Sequence, residues 1–299
     1  MGKSTLMVIK TTAVKPIAKL AFLTRYAIYV LLYFASKVTL QSEISILMYH
    51  SIGTTCSRYS VSIAEFRRQI DYLVRNCRVV SLGEIVDFLE GRRRLPRRSV
   101  AITFDDGYFD NYQCAYPYLK KHHLPATIFI STAYLQKKKL SNNCKLSMLD
   151  WDEIAEMIQN NIDFGAHTAR HPDLCEIDID SAKREILKSK TEIEKMTGKK
   201  VNYFAYPYGR YNRDVVNLVG LLGFRGAFGG EGVIHKDANT LVIHRVEVKR
   251  SIGYAMFKMR LTAALDWYKK FEQALKVAFE DFPPMSLVVD VYNSLDSQN

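Results

Sequence analysis

From Ile44 onward the chain alternates short apolar runs with longer amphipathic stretches, and that rhythm predicts strand, turn and helix in repeated order. Strands are predicted over 44–48, 78–80, 99–102, 126–130, 162–166, 202–205, 224–228 and 240–246, and helices over 64–75, 83–89, 111–122, 151–159, 181–196 and 214–222. Phe66, Ile70 and Leu73 recur at helical spacing, and Gly198 after Thr197 suits a helix C-cap. The polar stretch 137–147 reads as a loop. About seven strand-helix units in succession predict an α/β fold, a distorted parallel (β/α) barrel whose chemistry sits at the C-terminal ends of its strands.

The two ends break this rhythm. Residues 1–43 mix Lys3, Lys10, Lys15, Lys19 and Arg25 with the apolar run from Tyr26 to Ala35, which is too short alone for the roughly 20 residues that span a bilayer. An interfacial helix, an imperfect signal anchor and an atypical signal peptide all fit, with a packing helix as the plain alternative. A membrane-associating segment is expected there. From 251 to 299 the pattern predicts an amphipathic helix (254–279), ended by Pro283-Pro284, and a tail. The barrel is thus expected over 44–250.

Composition narrows the setting. The 299 residues are 48% hydrophobic with a net charge of +11, which excludes a disordered chain and favours an anionic partner. Zinc-finger spacing, an RNA-binding signature and an aromatic-interleaved basic stripe are all missing from the sequence, so a membrane surface is expected and nucleic acid is not. The five cysteines (56, 77, 114, 144 and 175) lack CxxC spacing and lean toward a reducing compartment, whereas an anchor with a positive flank would place the barrel outside. The expected location is membrane-associated, in a bacterial-type envelope, with the side left open.

Two motifs carry chemistry. Asp105-Asp106-Gly107 follows the strand at 99–102, and Gly107 permits a turn, so one carboxylate can bind a cation while the other moves protons. Alone, the tripeptide reads better as an ordinary turn or helix cap, and other motifs must decide it. His167 and His171, four residues apart at the end of another strand, would share a face of a helical turn and reach one metal ion. Two imidazoles and one carboxylate leave coordination positions open, which suits a catalytic zinc or another divalent transition metal.

Thr103-Phe104-Asp105-Asp106-Gly107, His167-Thr168 with His171, and Phe204-Ala205-Tyr206-Pro207-Tyr208-Gly209 resemble, in order and spacing, the first three motifs of the polysaccharide deacetylase family, the NodB-like carbohydrate esterases. The opening Leu47-Met48-Tyr49-His50 is similar to the branch containing poly-N-acetylglucosamine deacetylases. The resemblance runs from about Ile44 to Val248.

It implies that Asp106, His167 and His171 hold the metal, that Asp105 is the general base, and that the backbone N–H of Tyr208 faces the oxyanion. Pro207 fixes the loop that carries that N–H, and Tyr108 and Tyr206 are expected as walls against a sugar ring. His50 is the preferred proton donor to the leaving amine, with His244 as the alternative. Two departures stand out. Ala205 occupies the place of a family arginine that holds the aspartate, a charge Arg245 could supply from another strand; and the family's Asp-Trp motif has no match, leaving Trp151 as a candidate for the groove.

The expected activity is metal-dependent removal of N-acetyl groups from an N-acetylated polysaccharide, oligosaccharide or lipid-linked glycan. Hydrolysis of another amide or ester on the same centre is the alternative enzyme, and a non-catalytic glycan-binding relative is the alternative class.

Overall fold

The computed structural model describes residues 27–28, 30–31, 44–53, 57–135, 138–141, 144–232, 234, 238–262, 264 and 268. Ser42–Phe257 form one compact unit, and Met1–Gln41 with Lys258–Asn299 another. Apart from two fragments the expected membrane segment lies outside the described residues, and no described helix is long and apolar enough to cross a membrane.

The strands of the larger unit are β1 (Ile44–Tyr49), β2 (Arg78–Val79), β3 (Ser99–Phe104), β4 (Ala126–Ile130), β5 (Lys138–Ser141), β6 (Cys144–Ser147), β7 (Ile162–Ala166), β8 (Tyr203–Ala205), β9 (Gly226–Glu231) and β10 (Ile243–Glu247). Seven of them close a parallel barrel in the order β1-β10-β9-β8-β7-β4-β3, with β3 returning to β1 along six paired residues from Ile44↔Ser99 to Tyr49↔Phe104. The short β2 pairs with the first half of the other edge of β3 (Arg78↔Ser99), and β4 takes the second half (Thr103↔Thr127). One strand edge therefore serves two neighbours in sequence.

The helices are α1 (Ile63–Asn76), α2 (Leu82–Leu89), α3 (Tyr116–Lys121), α4 (Trp151–Ile158), α5 (Ile179–Thr197), α6 (Arg213–Leu221) and α7 (Tyr254–Arg260). Their starts are written in side chains. Ser81 with Glu84 and Asp150 with Glu153 form reciprocal capping boxes, and Ser62, Asp178 and Asn212 each accept a backbone N–H. Each such cap stabilises by about 1 kcal/mol. Gly198 closes α5 at φ 66°, as its position suggested.

Side chains alternate along each strand, so Ala101, Thr103 and Asp105 share one face. The core cluster joins Ile44, Ile46, Ala101, Phe129, Ala205, Phe228 and Ile243. Phe129 and Phe228 meet at 5.5 Å, each fully buried and each contributing about 1.5–3 kcal/mol by leaving water. Gly165 makes room for Phe129, because a Cβ there would stand 2.5 Å from its ring.

Three local expectations change. Lys138–Ser141 and Cys144–Ser147 pair as antiparallel strands rather than lying in a loop, since backbone pairing does not require apolar side chains. Residues 111–122 begin with a wide turn over Asn111–Ala115, in which the N–H of Tyr116 reaches the Asn111 carbonyl, before α3 starts. The C-terminal helix is seven residues long where described, ending at Arg260 rather than continuing from there without a break.

Candidate active site

The motif residues meet at the C-terminal mouth of the barrel. Asp105 follows β3 directly, and its N–H is tied to the Tyr49 carbonyl at 2.9 Å. The chain then turns, with Asp106 at φ 75° and Gly107 at φ 80°. These two left-handed residues send the neighbouring carboxylates to different places. A Cβ on Gly107 would lie 2.8 Å from Ile130 Cγ2, so the turn needs glycine for space as well as for conformation.

Asp105 points inward and is 3% exposed. Both its oxygens accept from Arg245 of β10, Nη1 to Oδ1 and Nη2 to Oδ2, each at 2.7 Å. Burial raises the carboxyl pKa, but the Arg245 guanidinium, with His167 and His50 adding to it, outweighs burial and holds Asp105 below the ordinary carboxylate range. Arg245 is itself 1% exposed and also donates to Thr103 Oγ1 at 3.2 Å. The residue lines the cleft, but its fork is committed to Asp105, so it holds the aspartate rather than meeting a substrate.

Asp106 faces the histidines. His167 and His171 bring their Nε2 atoms to 3.1 Å, and Asp106 Oδ1 lies 3.8 Å from the first and 3.5 Å from the second. Among the described residues this is the one group of three or more His, Cys, Asp and Glu placed to hold a metal ion. His167 Nδ1 donates to the Ala205 carbonyl at 2.8 Å, which leaves the lone pair on Nε2. Burial pushes the His167 pKa down, so the neutral ring that a metal requires is the favoured form. Two nitrogens and one carboxylate fit zinc or a neighbouring divalent transition ion.

The segment that carries the pair is not helical. Thr168 and His171 adopt φ 63° and 57°, and the His171 N–H bonds Thr168 Oγ1 at 2.9 Å. Sequence spacing suggested a helical turn, whereas hydrogen bonds pin an irregular loop: Ser131 Oγ to the His167 carbonyl, Ala133 N–H to the Ala169 carbonyl, and Arg170 to Glu185.

Tyr208 sits in the short turn Pro207–Gly209 at φ 59° and is 66% exposed. Its ring meets His171 edge-on at 4.6 Å, and Gly209 lies so close to Gly230 that a Cβ would be 3.1 Å from the Gly230 nitrogen. Arg210 clamps this turn to the His171 loop through Asp173 and Glu176.

The cleft above these groups encloses about 690 Å³ and includes His50, Tyr59, Tyr108, Tyr208 and Glu231 in its wall. Tyr108 is 9% exposed; burial and the adjacent Asp106 push its phenol pKa up, so it stays protonated. Of the proton-donor candidates, His50 lines the cleft and His244 does not; the latter is exposed on β10, one residue from Arg245 and so on the opposite face. Tyr206 is 1% exposed and donates to the Leu241 carbonyl at 2.9 Å. It supports the loop from below and is no sugar wall. Trp151 opens α4 and is not among the cleft-lining residues. Met48, Arg58, Tyr59, Glu231 and Glu247 line the cleft without having been singled out from the sequence. Met48 and Glu247 stand two residues from His50 and Arg245, so strand alternation was a usable signal for both.

Comparison with known proteins agrees with this arrangement. The family model described as polysaccharide deacetylase matches residues 92–227. YxkH of Bacillus subtilis (strain 168), which carries the polysaccharide deacetylase name, is 30% identical over 218 residues, covering 72% of this chain and 75% of YxkH. The poly-beta-1,6-N-acetyl-D-glucosamine N-deacetylase of Staphylococcus epidermidis is 29% identical over 211 residues, 67% of this chain and 72% of that protein. Among solved structures, the Streptococcus pyogenes deacetylase PplD in complex with acetate aligns with a TM-score of 0.66 at 25% identity, covering 73% of this chain and 97% of that one. IcaB from Ammonifex degensii aligns with a TM-score of 0.64 at 27% identity, covering 77% and 98%. A parallel seven-stranded barrel with paired aspartates and paired histidines at its mouth, matched along most of its length by these relatives, places the chain in the polysaccharide deacetylase family, whose members hydrolyse amide bonds.

Proposed function

We propose that the protein is a metal-dependent N-deacetylase of an N-acetylated glycan, with a poly-N-acetylglucosamine-type polymer as its substrate class. The observation that carries this reading is the division of labour between adjacent aspartates: Asp105 is forked onto Arg245, and Asp106 is turned toward His167 and His171. The likeness to the staphylococcal N-deacetylases supports the glycan class.

Asp106, His167 and His171 would hold the ion. When bound, a divalent cation supplies Lewis acidity toward the acetyl carbonyl and lowers the pKa of a coordinated water. Asp105, kept ionised by Arg245, accepts the proton from the attacking water. The Tyr208 N–H serves the developing oxyanion, on a turn held by Gly209 against Gly230. His50 gives a proton to the nitrogen that leaves, since an amine is a poor leaving group unless protonated. The basic, aromatic pattern of residues 1–43 supports work at a membrane surface in a bacterial-type envelope.

Acetate release from β-1,6-linked N-acetylglucosamine oligomers, chito-oligosaccharides and acetylated lipid-linked sugars tests the reading, with and without zinc and with Asp105→Asn. Zinc-dependent release from one class, lost in the variant, supports it. Release from none of them by metal-loaded protein overturns it in favour of another amide or ester.

A further inference from the structure

Beside the cleft lies a polar group that the mechanism above does not use. Asn111 Nδ2 donates to the His50 carbonyl at 2.7 Å and to Asp110 Oδ1 at 3.1 Å. Ser51 Oγ donates to Asp110 Oδ2 at 2.5 Å, and the Ile52 backbone N–H bonds the same carboxylate. Ser60 Oγ donates in turn to Ser51 Oγ at 3.1 Å. Two consecutive side chains thus grip three consecutive residues, His50, Ser51 and Ile52, where the chain leaves β1.

The imidazole itself is held differently. Its Nδ1 is buried and has no hydrogen-bond partner among the described residues, while the ring packs against Tyr59 at 5.1 Å. A ring without a bonded orienting partner takes its position from the backbone that carries it. Asn111 starts the wide turn after the paired aspartates, and its own N–H bonds the Tyr108 carbonyl at 3.0 Å. A wide turn re-aims the side chain at its start, and such insertions concentrate at functional positions. The same short stretch therefore fixes Asp105, Asp106 and the backbone of His50.

We propose that Asp110 and Asn111 are positioning residues for His50, holding the backbone of the proton donor at a fixed distance from the paired aspartates. This rests on the reading of His50 as the donor. Burial, offset only in part by the bonds from Ser51 and Ile52, holds the Asp110 carboxyl at about 6, so above that pH the group is an ionised acceptor with its donors in place.

The test compares two substrates that differ in leaving group. N-acetylglucosamine oligomers need a protonated amine to depart; 4-nitrophenyl acetate releases a phenolate that needs no proton. His50→Ala is expected to lower oligomer turnover by about 10²-fold or more and to spare the ester. Asn111→Ala and Asp110→Asn are expected to show the same selective loss, up to about 10²-fold in kcat with KM little changed, and to add nothing in the His50→Ala background. In metal-free protein, the His50 imidazole signal in ¹H–¹⁵N spectra, assigned by its disappearance in His50→Ala, should shift in both variants. Should Asn111→Ala not fold, Ser51→Ala removes the bond to Asp110 together with the acceptor of Ser60 Oγ, leaves Asn111 on the His50 carbonyl, and is expected to give a smaller loss of the same kind.

Equal loss on both substrates, losses that multiply with His50→Ala, or an unmoved His50 signal would overturn the positioning role. If His50→Ala shows no leaving-group selectivity, the donor reading fails separately, and the spectra alone then decide whether Asp110 and Asn111 set the ring.

Discussion

Arg245 reaches Asp105 across 140 residues of chain and bonds it with both terminal nitrogens at 2.7 Å, with neither partner more than 4% exposed at its side chain. Ala205, on β8, carries no charge, and the cation beside Asp105 comes from β10 instead.

Removing one partner of a buried pair leaves an uncompensated charge. Arg245→Met should destabilise the protein by about 3–5 kcal/mol, read as a lowered denaturation midpoint. The double variant Arg245→Met with Asp105→Leu should regain most of that stability, because replacing both charges by apolar groups is often neutral, yet have no activity. A double variant as unstable as the single one would show that the pair organises the barrel mouth by more than its charges.

Chelation should abolish acetate release, and zinc should restore it. It should also lower the thermal midpoint, since an ion that binds only the folded state stabilises it by mass action. His171→Ala, which takes one nitrogen from a 3.1 Å pair, should lose both effects together, as read by calorimetric zinc titration.

Gly107→Ala tests the turn between the aspartates. The added methyl would have to stand 2.8 Å from Ile130 Cγ2 at a φ of 80°. A loss of about 1–3 kcal/mol is expected from crowding, with more from the backbone, and zinc affinity should fall because Asp106 is displaced. Unchanged affinity at lowered stability would show that Asp106 is placed independently of the turn.

Asp110 provides a pH signature. Its folded pKa of about 6 lies above the ordinary 3.8, so the folded state holds the proton more tightly than the unfolded one. Its contribution to stability is therefore full below about pH 4 and is lost as pH rises through 6, a change on the order of 3 kcal/mol. Asp110→Asn cannot ionise. Its stability relative to wild type should improve steadily between pH 4 and 7 in denaturant titrations, and a constant difference would sink the assignment.

The parallel barrel was legible because most of its strands are short, mainly apolar runs that end at turns, as Ala126–Ile130 and Ile162–Ala166 do at their predicted bounds. The paired aspartates and histidines were legible because their spacing is local. What remained hidden was non-local: nothing in Tyr206 says that its hydroxyl will be spent on Leu241, nor in Trp151 that α4 will keep it out of the cleft wall. The pairing of β5 with β6 was hidden for another reason, since it is made by backbone groups that every residue carries.

The closure of β1 against β10 sets a timetable for synthesis. Leu47 pairs with Val246, so the ring cannot shut until almost 200 residues after its first strand have been made. Asp105 meets Arg245 only in that last step. At roughly 5–20 residues per second the aspartate waits on the order of ten seconds or more as an unmatched acid at the rim of an open sheet. The half-built chain is therefore most exposed to misassembly while this buried ion pair is incomplete, and the final strand both seals the core and supplies the missing cation.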